Sequence, residues 1–157
     1  MDNKKLKSKN FLTFKILKKD NDFLEKIIEE FYKENGVKLS KAGVIRKFMI
    51  QGFLCFIDDP LFTEELNILK TLLESSFPTV RERYDVNKLT NIRKSKKHYD
   101  NESNESLKVI KIRMSDEEKK SIEENLHKVK EVKESNISIG DFIRFCINAE
   151  REYHNQK

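Results

Sequence analysis

Two stretches of this sequence repeat one another at a constant spacing of 98 residues. Ser40 followed by Val44-Ile45-Arg46 recurs as Ser138 followed by Phe142-Ile143-Arg144. The same offset, without a gap, pairs Leu24, Ile28 and Phe31 with Ile122, Leu126 and Val129. It also pairs Leu12, Phe14 and Ile16 with Ile110, Ile112 and Met114. Three successive apolar blocks match, each with its own periodicity, so the chain reads as two copies of one small module. Apolar residues make up 37% of the chain and charged residues 38%. A core that thin is best built between the copies.

Each copy opens on an alternating segment. Over residues 107–114, Ile110, Ile112 and Met114 face one way while Val109, Lys111 and Arg113 face the other, the signature of a half-buried strand. Over residues 11–16, Leu12, Phe14 and Ile16 point inward and Phe11, Thr13 and Lys15 outward. A helix follows. Ser115-Asp116-Glu117-Glu118 is a capping box, and Ile122, Leu126 and Val129 then recur at i, i+4 and i+7. In the first copy Asp22 and Glu25 offer the cap, and Asn35-Gly36 the stop. Because Ser115 corresponds to Leu17 and not to Asp22, a longer strand-to-helix loop is expected there. The second helix of each copy starts at a serine cap, Ser40 or Ser138. It buries Val44, Ile45, Phe48 and Met49 in one copy, and Phe142, Ile143, Cys146 and Ile147 in the other. Asp58-Asp59-Pro60 ends the first of these helices.

The modules span residues 10–56 and 106–151, with residues 57–105 between them. Leu61, Leu66, Leu69, Leu72 and Leu73 predict a helix over 61–75, and Tyr84, Leu89 and Ile92 a sparser one over 80–92. Residues 93–106 turn polar and charged, as a solvated linker does. Net charge is +5, unevenly spread: residues 1–56 hold 13 basic and 7 acidic side chains, and residues 57–106 hold 8 and 10. A basic first module suits an anionic partner.

Several classes of function fit poorly. His98, His127 and His154 lie far apart and have no metal-ligand spacing. Gly36, Gly43, Gly52 and Gly140 form no phosphate-binding loop, and nothing resembles an activated nucleophile. The chain therefore reads as a non-enzyme with no cofactor and no metal. Cys55 and Cys146 sit in apolar stretches and read as buried thiols of a reducing cytoplasm. The apolar run over residues 48–57 is far below the roughly 20 residues that span a bilayer. A soluble cytoplasmic protein without a membrane partner is expected.

A strand, a capped helix and a second serine-capped helix within about fifty residues resemble the ribbon-helix-helix fold of Arc- and MetJ-type DNA-binding proteins. The segments that resemble it are Ile110-Lys111-Ile112-Arg113-Met114-Ser115 and Ser138-Ile139-Gly140-Asp141-Phe142-Ile143-Arg144. Ser40-Lys41-Ala42-Gly43-Val44-Ile45-Arg46 repeats the second of them. The resemblance implies a mainly α fold with a short antiparallel ribbon. Its outer face would enter the major groove of double-stranded DNA, where each base pair shows a distinct pattern of donors and acceptors. Thr13, Lys15, Lys111 and Arg113 would then read bases, with Phe11 and Val109 beside them. Ser40, Lys41 and Ser138 would meet phosphates at the helix N-termini. Arg46 and Arg144 lie off the core stripe and read first as partners of helix carboxylates. Pairing of the copies within one chain, a monomeric pseudo-dimer, is favoured over a homodimer because the tether raises effective concentration. The expected role is a transcriptional repressor or a plasmid partition or maintenance factor, with residues 57–105 a candidate surface for a partner protein. A helical interaction scaffold with a merely solubilising basic face is the alternative.

Overall fold

The computed structural model describes residues 11–73, 84, 107–133 and 137–155. Their order is β1 (Phe11–Leu17), α1 (Lys18–Asn35), α2 (Lys41–Phe56), α3 (Glu64–Leu73), β2 (Leu107–Arg113), α4 (Asp116–Lys133) and α5 (Ile139–Asn155). The fold is mainly helical with one two-stranded antiparallel sheet. The two strands come from opposite copies of the repeat. A lone strand leaves its backbone donors and acceptors unpaired, and each copy pairs one edge of the other's strand.

The register is informative. Thr13 lies opposite Lys111, its own equivalent at the 98-residue offset, while Phe11 faces Arg113 and Lys15 faces Val109. A two-fold axis through the Thr13–Lys111 pair relates those last two pairs. The helices obey the same offset: α1 and α4 are both 18 residues long and start 98 apart, as do α2 and α5.

The inner face of the ribbon is sealed. Phe14, Ile16, Ile110 and Ile112 are buried, with Met114 just beyond β2. The eight expected core residues of the second helices, Val44, Ile45, Phe48, Met49, Phe142, Ile143, Cys146 and Ile147, are all at most 3% exposed. α2 and α5 cross where Phe53 stacks on Phe142, ring centroids 4.4 Å apart. They approach so closely that a Cβ on Gly52 would lie 2.7 Å from the Cys146 sulfur. Both cysteines are thiols, Cys146 buried and Cys55 half-buried. Burial raises the Cys146 thiol well above its ordinary range, and Cys55 and Glu150 nearby add to the shift.

The caps differ from expectation in one place. α1 begins at Lys18, directly after β1, and its N-cap Leu17 contributes no side-chain hydrogen bond. There is no longer loop in the first copy, and Asp22 lies inside the helix. Packing of Leu17, Phe23 and Leu24 into the core, each at most 7% exposed, sets this start in place of a cap. In the second copy the Ser115 hydroxyl accepts from the Glu118 N–H at 3.1 Å, as a capping serine does. α1 ends at Gly36, whose φ of 69° is the left-handed geometry that favours glycine, and its N–H donates to the Tyr32 carbonyl at 2.8 Å.

Of the segment between the modules, the predicted first helix is α3, starting at Glu64 and not at Leu61. Leu66 is the buried residue among its described side chains. The helix expected over 80–92 lies outside the described residues except for Tyr84. That tyrosine is buried, its hydroxyl donating to Glu150 at 3.1 Å and lying 3.4 Å from the Phe48 carbonyl oxygen. Burial, then the charges around Cys146 and Glu150, raises it well above its ordinary pKa of 10.0. His127 and His154 are exposed, while His98 and the linker over 93–106 lie outside the described residues. No described helix is long and apolar enough to cross a membrane.

Candidate nucleic-acid interface

Strand alternation places Phe11, Thr13, Lys15, Val109, Lys111 and Arg113 together on the outer face of the ribbon. Five of them are exposed, Val109 at 64%, and Phe11 is half-buried. Phe11 is partly covered because the Lys111 ammonium sits over its ring, 4.4 Å from the centroid. Neither strand carries a carboxylate, whereas the outer face carries Lys15, Lys111 and Arg113. The face is therefore a narrow cationic strip with an apolar edge.

The three candidate phosphate residues are placed unequally. Ser40 caps α2, its hydroxyl accepting from the Gly43 N–H at 3.0 Å. The first turn of α2 contains no acid, so the positive end of the helix dipole is left uncompensated. Lys41 is turned toward α1: its ammonium donates to Asn21 Oδ1 at 2.6 Å and lies 3.6 Å from the Glu25 carboxylate. Ser138 caps α5 in a reciprocal box, accepting from the Asp141 N–H at 3.1 Å while its own N–H donates to Asp141 Oδ2 at 3.2 Å. Position 141 is the equivalent of Gly43. The second helix end thus carries its own anion where the first carries none. Burial alone would raise Asp141, but hydrogen bonds from Ser138 and Arg144, with the Arg144 charge, hold it below its ordinary 3.8.

Ser138 and Thr13 line one cleft of about 610 Å³ with Leu12, Gly140 and Arg144, so the capped end of α5 sits beside β1. The tie between them is Arg144, which donates to the Lys15 carbonyl at 3.1 Å and to the Asp141 carboxylate. Its equivalent, Arg46, donates to the Arg113 carbonyl at 2.6 Å and forks onto Glu118 at 2.7 and 3.1 Å. Lys15 and Arg113 are themselves equivalent at the 98-residue offset. Each copy's second helix therefore clamps the backbone of the other copy's outermost cationic strand residue.

The expectation that these arginines meet carboxylates holds, but the carbonyl contacts were not legible in the sequence. Recurrence of arginine at equivalent positions was the available signal; its target depends on which strand lies nearby. Lys119 was also missed. It donates to the Phe11 carbonyl at 3.1 Å and so ties the first residue of β1 to α4. Among the described residues, no group of three His, Cys, Asp or Glu is placed to hold a metal. No protein-family model, curated protein or solved structure matches this chain.

Proposed function

We propose that this chain is a sequence-specific double-stranded DNA-binding protein, a tandem ribbon-helix-helix whose two modules pair within one polypeptide. The observation that carries the proposal is the outer ribbon face, where six candidate residues line up around a pseudo-two-fold with no carboxylate among them. A two-stranded ribbon fits the major groove, and Arg113 has the geometry to fork onto guanine while Lys15 and Lys111 reach guanine or phosphate. Held by Arg46 and Arg144, the strand backbone presents those side chains from a fixed platform, which limits the entropy lost on binding. The uncompensated N-terminus of α2 is the better phosphate site. That of α5 already holds the Asp141 carboxylate, so Ser138 is the weaker candidate. The role is that of a repressor or of a plasmid partition or maintenance factor.

Selection of bound duplexes from genomic DNA, read by sequencing, tests this directly. A reproducible motif is expected, and its position at promoters or at a partition locus separates the two roles. Arg113→Ala should cost about 1–3 kcal/mol and relax preference at one base position. If Lys15, Lys111 and Arg113 can all become alanine without loss of affinity or selectivity, the ribbon is not the reader. The basic face would then be solubilising only, as in a protein-interaction scaffold.

A further inference from the structure

The two copies cover corresponding helix faces differently, and the difference leaves a cleft. In the second copy, α4 is overlaid by the chain's own segment following α2. Asn125 donates to the Leu61 carbonyl at 2.7 Å and accepts from the Leu61 N–H at 2.7 Å. Ser121 also donates to the Leu61 carbonyl, and Lys128 to the Asp59 carbonyl at 3.2 Å. On this face Val129 is completely buried.

In the first copy the residues equivalent to Asn125, Lys128 and Val129 are Ile27, Glu30 and Phe31. Phe31 is 36% exposed there, and Tyr32 and Val37 nearby are exposed too. A cleft of about 270 Å³ runs between α1, α2 and α5, lined by Ile27, Glu30, Phe31, Glu34, Gln51 and Glu150 among others. Gln51 is 2% exposed, and its Oε1 has no hydrogen-bond partner among the described residues. A buried acceptor left without a donor is destabilising, so a site that retains one is suited to receive a donor from outside.

We propose that this cleft docks an extended, basic peptide segment of a partner protein. The covered half supplies the precedent, since a non-helical segment of backbone already lies on the equivalent face. Polarity selects the occupant. Where Lys128 donates to a carbonyl, the open half has the exposed carboxylates of Glu30, 4.0 Å from Lys26, and Glu34, with Lys47 and His154 also on the lining and the buried Glu150 engaged by Tyr84. The occupant therefore brings N–H donors and cations, with an apolar side chain for Ile27 and Phe31. Size argues the same way, because small-molecule sites usually enclose about 300–1,000 Å³ and this cleft suits one or two side chains of a longer ligand. The cleft shares no residue with the ribbon, so the proposal stands independently of DNA binding.

The probe is a capped synthetic peptide of the chain's own residues 57–63 carrying Asp58→Lys and Asp59→Lys, with the unaltered peptide as control. Titration of the full chain is followed by NMR at low ionic strength. Shifts concentrated at residues 27–34 and at the Gln51 side-chain amide are expected with the basic peptide. Binding should weaken about tenfold or more with the acidic peptide, and equally with the surface variant Glu30→Lys/Glu34→Lys, whose fold is checked by circular dichroism. A single Glu34→Gln variant gives a smaller loss if the double variant is unstable. Equal binding of both peptides, or shifts elsewhere on the chain, overturns the proposal. Spermidine that shifts the same residues while neither peptide binds overturns it too, in favour of a small cation.

Discussion

Arg46 is the residue on which the two copies most directly depend. It joins a half-buried guanidinium, a nearly buried Glu118 carboxylate and a strand carbonyl in one set of contacts. Arg46→Met keeps the aliphatic stem but strands Glu118 with its main cation gone. A loss of about 2–4 kcal/mol in urea unfolding is expected, far more than an exposed ion pair contributes. Arg151, bonded to the 1%-exposed Asp20 at 2.6 Å, plays the corresponding part for the first helix of the other copy. Asp141 gives a pH signature. Its folded pKa is depressed, so its stabilising contribution is fully present above the unfolded value and fades as pH falls through the folded one. Asp141→Asn should therefore flatten the acid limb of the stability profile below about pH 4, the unfolded range for a carboxylate, while lowering stability near neutrality. An unchanged acid limb would mean the cap is not held in solution.

Among the helices, α2 and α5 make the most extensive contact with one another. Gly52 permits it, because an added Cβ would meet the Cys146 sulfur at 2.7 Å and the Phe142 ring at 3.0 Å. Neither neighbour is the loose end of a flexible chain, so the helices must move apart. Gly52→Ala should cost about 1–3 kcal/mol by overpacking, with thermal unfolding as the measurement. Cys146→Ala in the same chain removes one of the two obstructing groups and should restore part of the loss. Strict additivity of the two substitutions would show that the crossing is not the cause. The ribbon is bound to this joint through Arg46 and Arg144, so a shift of α2 against α5 would also move the strand backbone.

For the whole molecule, strand pairing inside one chain has a consequence that mass and symmetry can test. A protein paired internally should run near 18.7 kDa by light scattering at micromolar concentration. A dimer that survives dilution would contradict that. On the proposed DNA-binding function, the two halves of the ribbon differ at every outward position: Phe11, Thr13 and Lys15 against Val109, Lys111 and Arg113. A homodimeric ribbon reads a palindrome because its halves are identical. This one should prefer an asymmetric site, with guanine contacts on the side read by residues 109–113. Exchanging Thr13 and Lys15 with Lys111 and Arg113 should reverse the site's orientation. A perfect palindrome as the best site would mean that two chains build each ribbon.

Much of this was present in the one-dimensional pattern. The 98-residue offset, the period-two strands, the serine caps at Ser40, Ser115 and Ser138 and the eight core residues of α2 and α5 all rest on local periodicity and capping. Those signals are set by neighbours within a turn or two, which is why they survive in sequence. The start of α1 was misjudged for the opposite reason: Asp22 is a good local cap, but burial of Leu17, Phe23 and Leu24 outweighs it. The outward strand residues and the carboxylate partners of Arg46 and Arg144 were legible, whereas the carbonyl contacts of those arginines and the turn of Lys41 toward α1 were not. Charged side chains are long, and their partners lie on other elements. The unequal covering of α1 and α4 was likewise decided by tertiary structure. It depends on where the segment after α2 lies, and no local periodicity encodes that.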